Sequence, residues 1–215
     1  AIGSSAGYEN QSEQCIAIGK GAGYSFQGYT GDYDYGVSIA IGVDAAGNNQ
    51  KSGSIAIGPY SATTNQGENS IAVGYNSATN NQLDYCIAIG LQSGYTDQGT
   101  VDVDGRTGHS IAIGKDAGYL KQYSYAIAIG ENAGRTDQNT NAIAIGENAG
   151  RFSQSANSIA IGKIAGETSQ SSNAIAIGEG AGSVSQSSNA IAIGKGAGST
   201  NQQINSIVFD QTKVF

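Results

Sequence analysis

Few side chains in this sequence could carry chemistry: one histidine, two cysteines, and aspartates gathered in two short segments. His109 has no nucleophile at a spacing that would make it a general base, and it reads as a loop residue. Asp102-Val103-Asp104-Gly105 opens like the calcium loop of an EF-hand, but the remaining oxygen ligands do not follow. Asp32 and Asp34 stand among tyrosines. Cys15 and Cys86 each precede an Ile-Ala-Ile-Gly string, where other copies carry Ala or Ser, and read as small apolar fillers. They fall four stacked turns apart, about 19 Å at roughly 4.8 Å per strand. A disulfide needs Cα atoms within about 7 Å, so none is expected within one chain. The expectation is no catalytic residue, no metal and no cofactor.

What must position every other residue is a repeat. Ile-Ala-Ile-Gly begins at Ile16, Ile39, Ile55, Ile87, Ile111, Ile127, Ile143, Ile159, Ile175 and Ile191, with Ile-Ala-Val-Gly at Ile71. Starts lie 16 residues apart except for steps of 23 and 24, which hold inserts of 7 and 8. A fixed short period marks a solenoid, in which each unit buries a face only by stacking on its neighbours. Ile at positions 0 and 2 with Gly at 3 fits strand alternation and not a 3.6-residue period. The fold class expected is all-β, a parallel β-solenoid (β-roll) of 16-residue turns, forming one domain over residues 1–215.

Position by position, the turn reads as a flattened two-strand coil. The isoleucines at 0 and 2 (Ile16, Ile18, Ile39, Ile41, Ile55, Ile57, Ile127, Ile129, Ile143 and Ile145 among them) are expected to form buried core stripes, facing the roll interior or an oligomer axis. Gly at 3 supplies a bend, and a small pair at 6 and 7, usually Ala-Gly, lets the second strand come close. Position 11 is Gln throughout: Gln11, Gln27, Gln50, Gln66, Gln82, Gln98, Gln122, Gln138, Gln154, Gln170, Gln186 and Gln202. Its neighbours drift freely, which favours a stacked amide ladder over an exposed Gln retained by repeat duplication. Asn two residues before the first Ile (Asn69, Asn141, Asn157, Asn173, Asn189, Asn205) reads as a second, partial ladder or a turn residue.

The inserts, around 28–37 and 99–109, should loop out on one face. All twelve tyrosines lie at or before Tyr125. Tyr8, Tyr24, Tyr29, Tyr33, Tyr35, Tyr95 and Tyr119 are candidates for surface binding by stacking, with covering of the roll's edge as the plain alternative. Residues 206–215 depart from the pattern: Val208 fills an Ala slot, and Ile207, Phe209, Val214 and Phe215 are candidates for end-to-end docking or capping. The chain opens inside a repeat, so Ala1 reads as a processing boundary. Only 13% of residues are charged and the net charge is −7, which speaks against nucleic acid or an anionic membrane as partner. No apolar run is long enough for a membrane span or a signal peptide, so no membrane insertion is expected.

The Asn-Ser/Ala-Ile-Ala-Ile-Gly core with its small downstream pair resembles the head repeats of YadA-like trimeric autotransporter adhesins. The arrays also resemble repeat fibre proteins of phages and large DNA viruses. The resemblance spans nearly the whole chain and implies a left-handed β-roll, a homotrimer, and an extracellular, cell-surface or virion-surface role as a structural and adhesive fibre segment. Its partners would be further copies of itself and a host surface, glycan or matrix. A glycan-binding viral fibre is the alternative. An ice-binding solenoid is disfavoured because position 4 holds Glu131, Glu147, Lys163, Glu179 and Lys195, not a flat Thr array. A solenoid enzyme would rest only on the insert aspartates.

Overall fold

The computed structural model describes residues 1–29, 36–100, 105 and 107–210. Two parallel sheets run its length, joined turn by turn. One holds twelve three-residue strands, from Ile16–Ile18 to Ile207–Phe209, each paired in register so that Ile stacks on Ile and Ala on Ala, save for Val73 and for Val208 and Phe209 in the last strand. We call it the Ile sheet. The other, the Gln sheet, holds nine strands from Ser25–Tyr29 to Thr168–Gln170, and an isolated bridge extends it from Thr168 to Val184. No helix occurs among the described residues, and none is long and apolar enough to cross a membrane. The chain is a β-solenoid of 16-residue turns.

The bend at position 3 needs glycine for two reasons. Gly146 has φ +126°, a conformation closed to L side chains, and a Cβ there would lie 2.8 Å from the backbone of Gly162 in the next turn. The same relation repeats up the column, so this corner is a stack of bare backbones.

The interior corrects one expectation. The alanines at position 1, such as Ala128, Ala144 and Ala160, are fully buried, as are those at position 6, such as Ala133 and Ala149. The isoleucines Ile16, Ile18, Ile39, Ile41, Ile55, Ile57, Ile127, Ile129, Ile143 and Ile145 are not in the roll's core but on its outer face. Ile16 is 46% exposed and Ile129 36%, and the pairs flank a buried Ala in every strand but the last, whose centre is Val208. Alternation puts both isoleucines on one side, and the space between the sheets is already filled by alanines and glutamines. The largest fully buried side chains are the glutamines.

Candidate functional site

The glutamine column fills the space between the two sheets. Gln138 shows the pattern: its Nε2 donates to the carbonyl of Ile127 at 2.7 Å and to Gln154 Oε1 at 3.1 Å, and its Oε1 accepts from Gln122 Nε2 at 3.0 Å. A longer contact, 3.3 Å, reaches the carbonyl of Ala142. Each amide therefore ties the Gln sheet to the Ile sheet and each turn to the next. The chain of amides runs from Gln11 to Gln27 and again from Gln50 to Gln202, including the 24-residue step from Gln98 to Gln122 at 3.3 Å. It breaks once, across the first insert, where Gln50 Oε1 is buried without a donor.

Two further amide ladders lie on the surface. At position 14, Asn141 donates to Asn157 at 3.3 Å and Asn189 to Asn205 at 3.0 Å, all four at φ near +60°. The asparagines are thus both turn residues and ladder rungs. At position 10, Asn49 donates to Asn65 at 3.1 Å, Asn65 to Asn81 at 3.0 Å, and Asn81 to the Asp97 carboxylate at 3.0 Å. The sequence reading missed this ladder, whose signal was Asn at one position in three consecutive turns.

The aromatic candidates are paired with one another. Tyr8 and Tyr24 stack at 5.2 Å, and Tyr95 and Tyr119 at 4.9 Å with planes 6° apart. The Arg135 guanidinium lies 4.9 Å from the Tyr119 ring centre, so both faces of that ring are taken. His109 is a rung of a second stack, between Tyr85 at 4.9 Å and Tyr125 at 5.0 Å. Tyr119 and His109 thus have both faces covered, whereas Tyr8, Tyr24 and Tyr95 each show one stacking partner among the described residues, and Tyr8 stays 67% exposed. The side chain of Tyr29 and all of Tyr33, Tyr35, Val214 and Phe215 lie outside the described residues, as do Asp32, Asp34, Asp102 and Asp104. Ile207 and Phe209 stand out from the last described strand at 60% and 65% exposure, while Val208 packs on the alanine core.

The cysteines sit at the roots of the inserts. Cys15 packs against Gly28 and Cys86 against Gly99, where a Cβ would lie 2.5 Å from the Cys86 sulfur. Cys86 Sγ also meets Ser110 Oγ at 3.3 Å, and burial pushes its thiol pKa up. Both cysteines are free. Among the described residues, no cluster of three His, Cys, Asp or Glu side chains could hold a metal ion.

Among the described residues, two surfaces are large enough to receive something. The first is the outer face of the Ile sheet. Its flank changes along the rod: position 4 is Lys20 in the first full turn, apolar at Val43, Pro59, Tyr75 and Leu91, then charged from Lys115 onward. The charges pair between turns, Lys115 with Glu131 at 2.9 Å, Lys163 with Glu147 at 3.2 Å and Lys195 with Glu179 at 3.0 Å. The second is a groove of about 290 Å³ on the Gln sheet, alongside Asn49, Asn65 and Asn81. Comparison with known family models, curated proteins and solved structures gave no match.

Proposed function

We propose that this chain is a segment of a left-handed, homotrimeric β-roll rod, a structural and adhesive fibre displayed outside the cell or on a virion surface. The observation that carries the reading is the unbroken ladder of paired, half-exposed isoleucines along one whole face. Monomeric soluble proteins seldom leave contiguous apolar patches beyond a few hundred Å². The occupant argued for is the same face of another copy, because only an equally long, flat, apolar ladder matches it rung for rung.

The flank supports parallel packing. An antiparallel neighbour would set Val43, Tyr75 and Leu91 against the Lys–Glu ion pairs of the Lys115–Lys195 stretch, stripping water from those charges for no new polar contact. Parallel copies set like against like. The trimeric count, the handedness and the extracellular setting rest on the Ile-Ala-Ile-Gly resemblance. Sedimentation equilibrium tests the assembly: the 21.7 kDa chain should sediment as three copies. A monomer at micromolar concentration overturns the reading.

A further inference from the structure

We infer that the groove on the Gln sheet is a binding site for an uncharged oligosaccharide lying along the rod axis. The inference rests on the adhesive half of the reading above and not on its oligomeric half, since the groove lies on the sheet opposite the isoleucines.

One wall is Asn49, Asn65 and Asn81, the ladder that continues to Asp97, and the other is formed by Lys51, Leu83 and Asp84. An adjoining hollow of about 230 Å³ between Asn81, Leu83, Asp97 and Thr100 continues it by one turn. The floor is open because position 12 is Gly67 in the middle turn. A Cβ there would lie 2.5 Å from the backbone of Leu83 and Asp84. The walls are held in place: Asp84 accepts from the Glu68 amide at 2.8 Å and from Lys51 Nζ at 3.4 Å. The groove spans the three regular turns between the insert roots at Gly28 and Gly99.

The ligand class follows from what the walls offer. A primary amide has two N–H donors and two acceptor lone pairs, and the ladder uses one of each within the column. Each rung therefore keeps a donor and an acceptor, repeated at the strand spacing of about 4.8 Å. A sugar hydroxyl is itself both donor and acceptor, and a pyranose ring is about as long as one rung. Charge argues against an ionic ligand, because Lys51 and Asp84 neutralise each other and Asp97 would repel an anion. Geometry argues against a peptide strand. The groove runs across the strands, whose backbone groups are already bonded to the turns above and below, so strand addition has no edge to use.

The test uses the unmodified chain on a printed panel of neutral, sialylated and sulfated oligosaccharides, followed by calorimetry with the best neutral binder. Asn65→Ser combined with Asn81→Ser should weaken binding by about tenfold or more, the loss of one or two ordinary hydrogen bonds. The fold should tolerate the change, because Ser153, Ser169 and Ser185 occupy the same position at φ near +55°. Asn201→Ser, in a distant turn, should leave affinity unchanged. Failure of every neutral glycan to bind, preference for acidic glycans, or equal affinity of the double variant overturns the site. Sedimentation of the same samples separates the outcomes. A trimer that binds no sugar loses only the groove, and a monomer that binds sugar loses only the isoleucine interface.

Discussion

The amide of Gly108 donates to the carbonyl of Gly99 at 2.8 Å, so the second insert returns to the roll where it left. At the first insert Gly36 lies against Gly28, where an added Cβ would collide with the Gly28 carbonyl. The roll should therefore tolerate removal of the chain between those glycines. Excising residues 29–35 joins Gly28 to Gly36 and leaves Gln27-Gly28-Gly36-Val37-Ser38-Ile39, a 16-residue step from Ile16 to the next Ile. Loop-closure entropy changes slowly with length, so stability should shift by no more than about 1 kcal/mol. Denaturant unfolding of the excised chain checks this, and an aggregated or non-cooperative product would show that the insert helps hold the roll.

Cys86 should be inert in the folded chain. Its side chain is fully buried, and desolvation raises its thiol pKa above the ordinary value. Iodoacetamide at pH 8 should leave it unmodified until denaturant is added, as read by peptide mass. The linkage sign follows. A thiol with a raised folded pKa stays protonated where the unfolded thiol ionises, so its contribution to stability is present below the unfolded pKa and is lost as pH rises toward the folded one. The Cys86→Ser chain should lose that alkaline component. Rapid native alkylation would mean that this turn opens.

Gln154→Ala removes donors to the Ile143 carbonyl at 2.8 Å and to Gln170 Oε1 at 3.2 Å, and an acceptor for Gln138 Nε2 at 3.1 Å. Leaving buried partners unsatisfied costs about 1–3 kcal/mol for each group, so the loss should reach at least 3 kcal/mol in urea unfolding. Gln154→Glu sets a carboxylate against the Ile143 carbonyl and Gln170 Oε1, both acceptors. Burial would raise the new carboxyl's folded pKa above its unfolded value of about 4.3, so the defect should deepen as pH rises through that window and ease in acid. A melting temperature unchanged in both variants would mean that the amide column is not what joins the sheets.

The period, the parallel stacking and the glutamine ladder were legible because each depends on one position repeating while its neighbours vary. The parity of the isoleucines was not. Alternation says that Ile127 and Ile129 share a face and Ala128 the other, but not which face is inside. The usual preference for burying bulk fails here because Gln138 already occupies the interior. The tyrosine stacks follow from the same repetition: equal positions on adjacent turns bring rings together, so Tyr119 spends its faces on Tyr95 and Arg135. The Cys86–Gly99 pairing could not be read from spacing, since its two residues lie on different turns and differ in type.

Opposite faces of one strand supply the sharpest test of the architecture. Ala160 is fully buried between the sheets, whereas its neighbour Ile161 is 36% exposed on the outer face. Ala160→Leu forces extra carbons into an interior sized for methyl groups, where overpacking costs about 1–3 kcal/mol or more, and should lower the melting temperature of the chain itself. Ile161→Asp places a charge on a surface that is still wet in the single chain. Its β circular dichroism should persist while sedimentation shows the loss of assembly, because a carboxylate buried between isoleucine ladders has no counter-charge. Unfolding caused by Ile161→Asp with a silent Ala160→Leu would reverse the assignment of inside and outside. A variant carrying Ile161→Asp that is folded and still assembled would show that the isoleucine face is not the contact between copies.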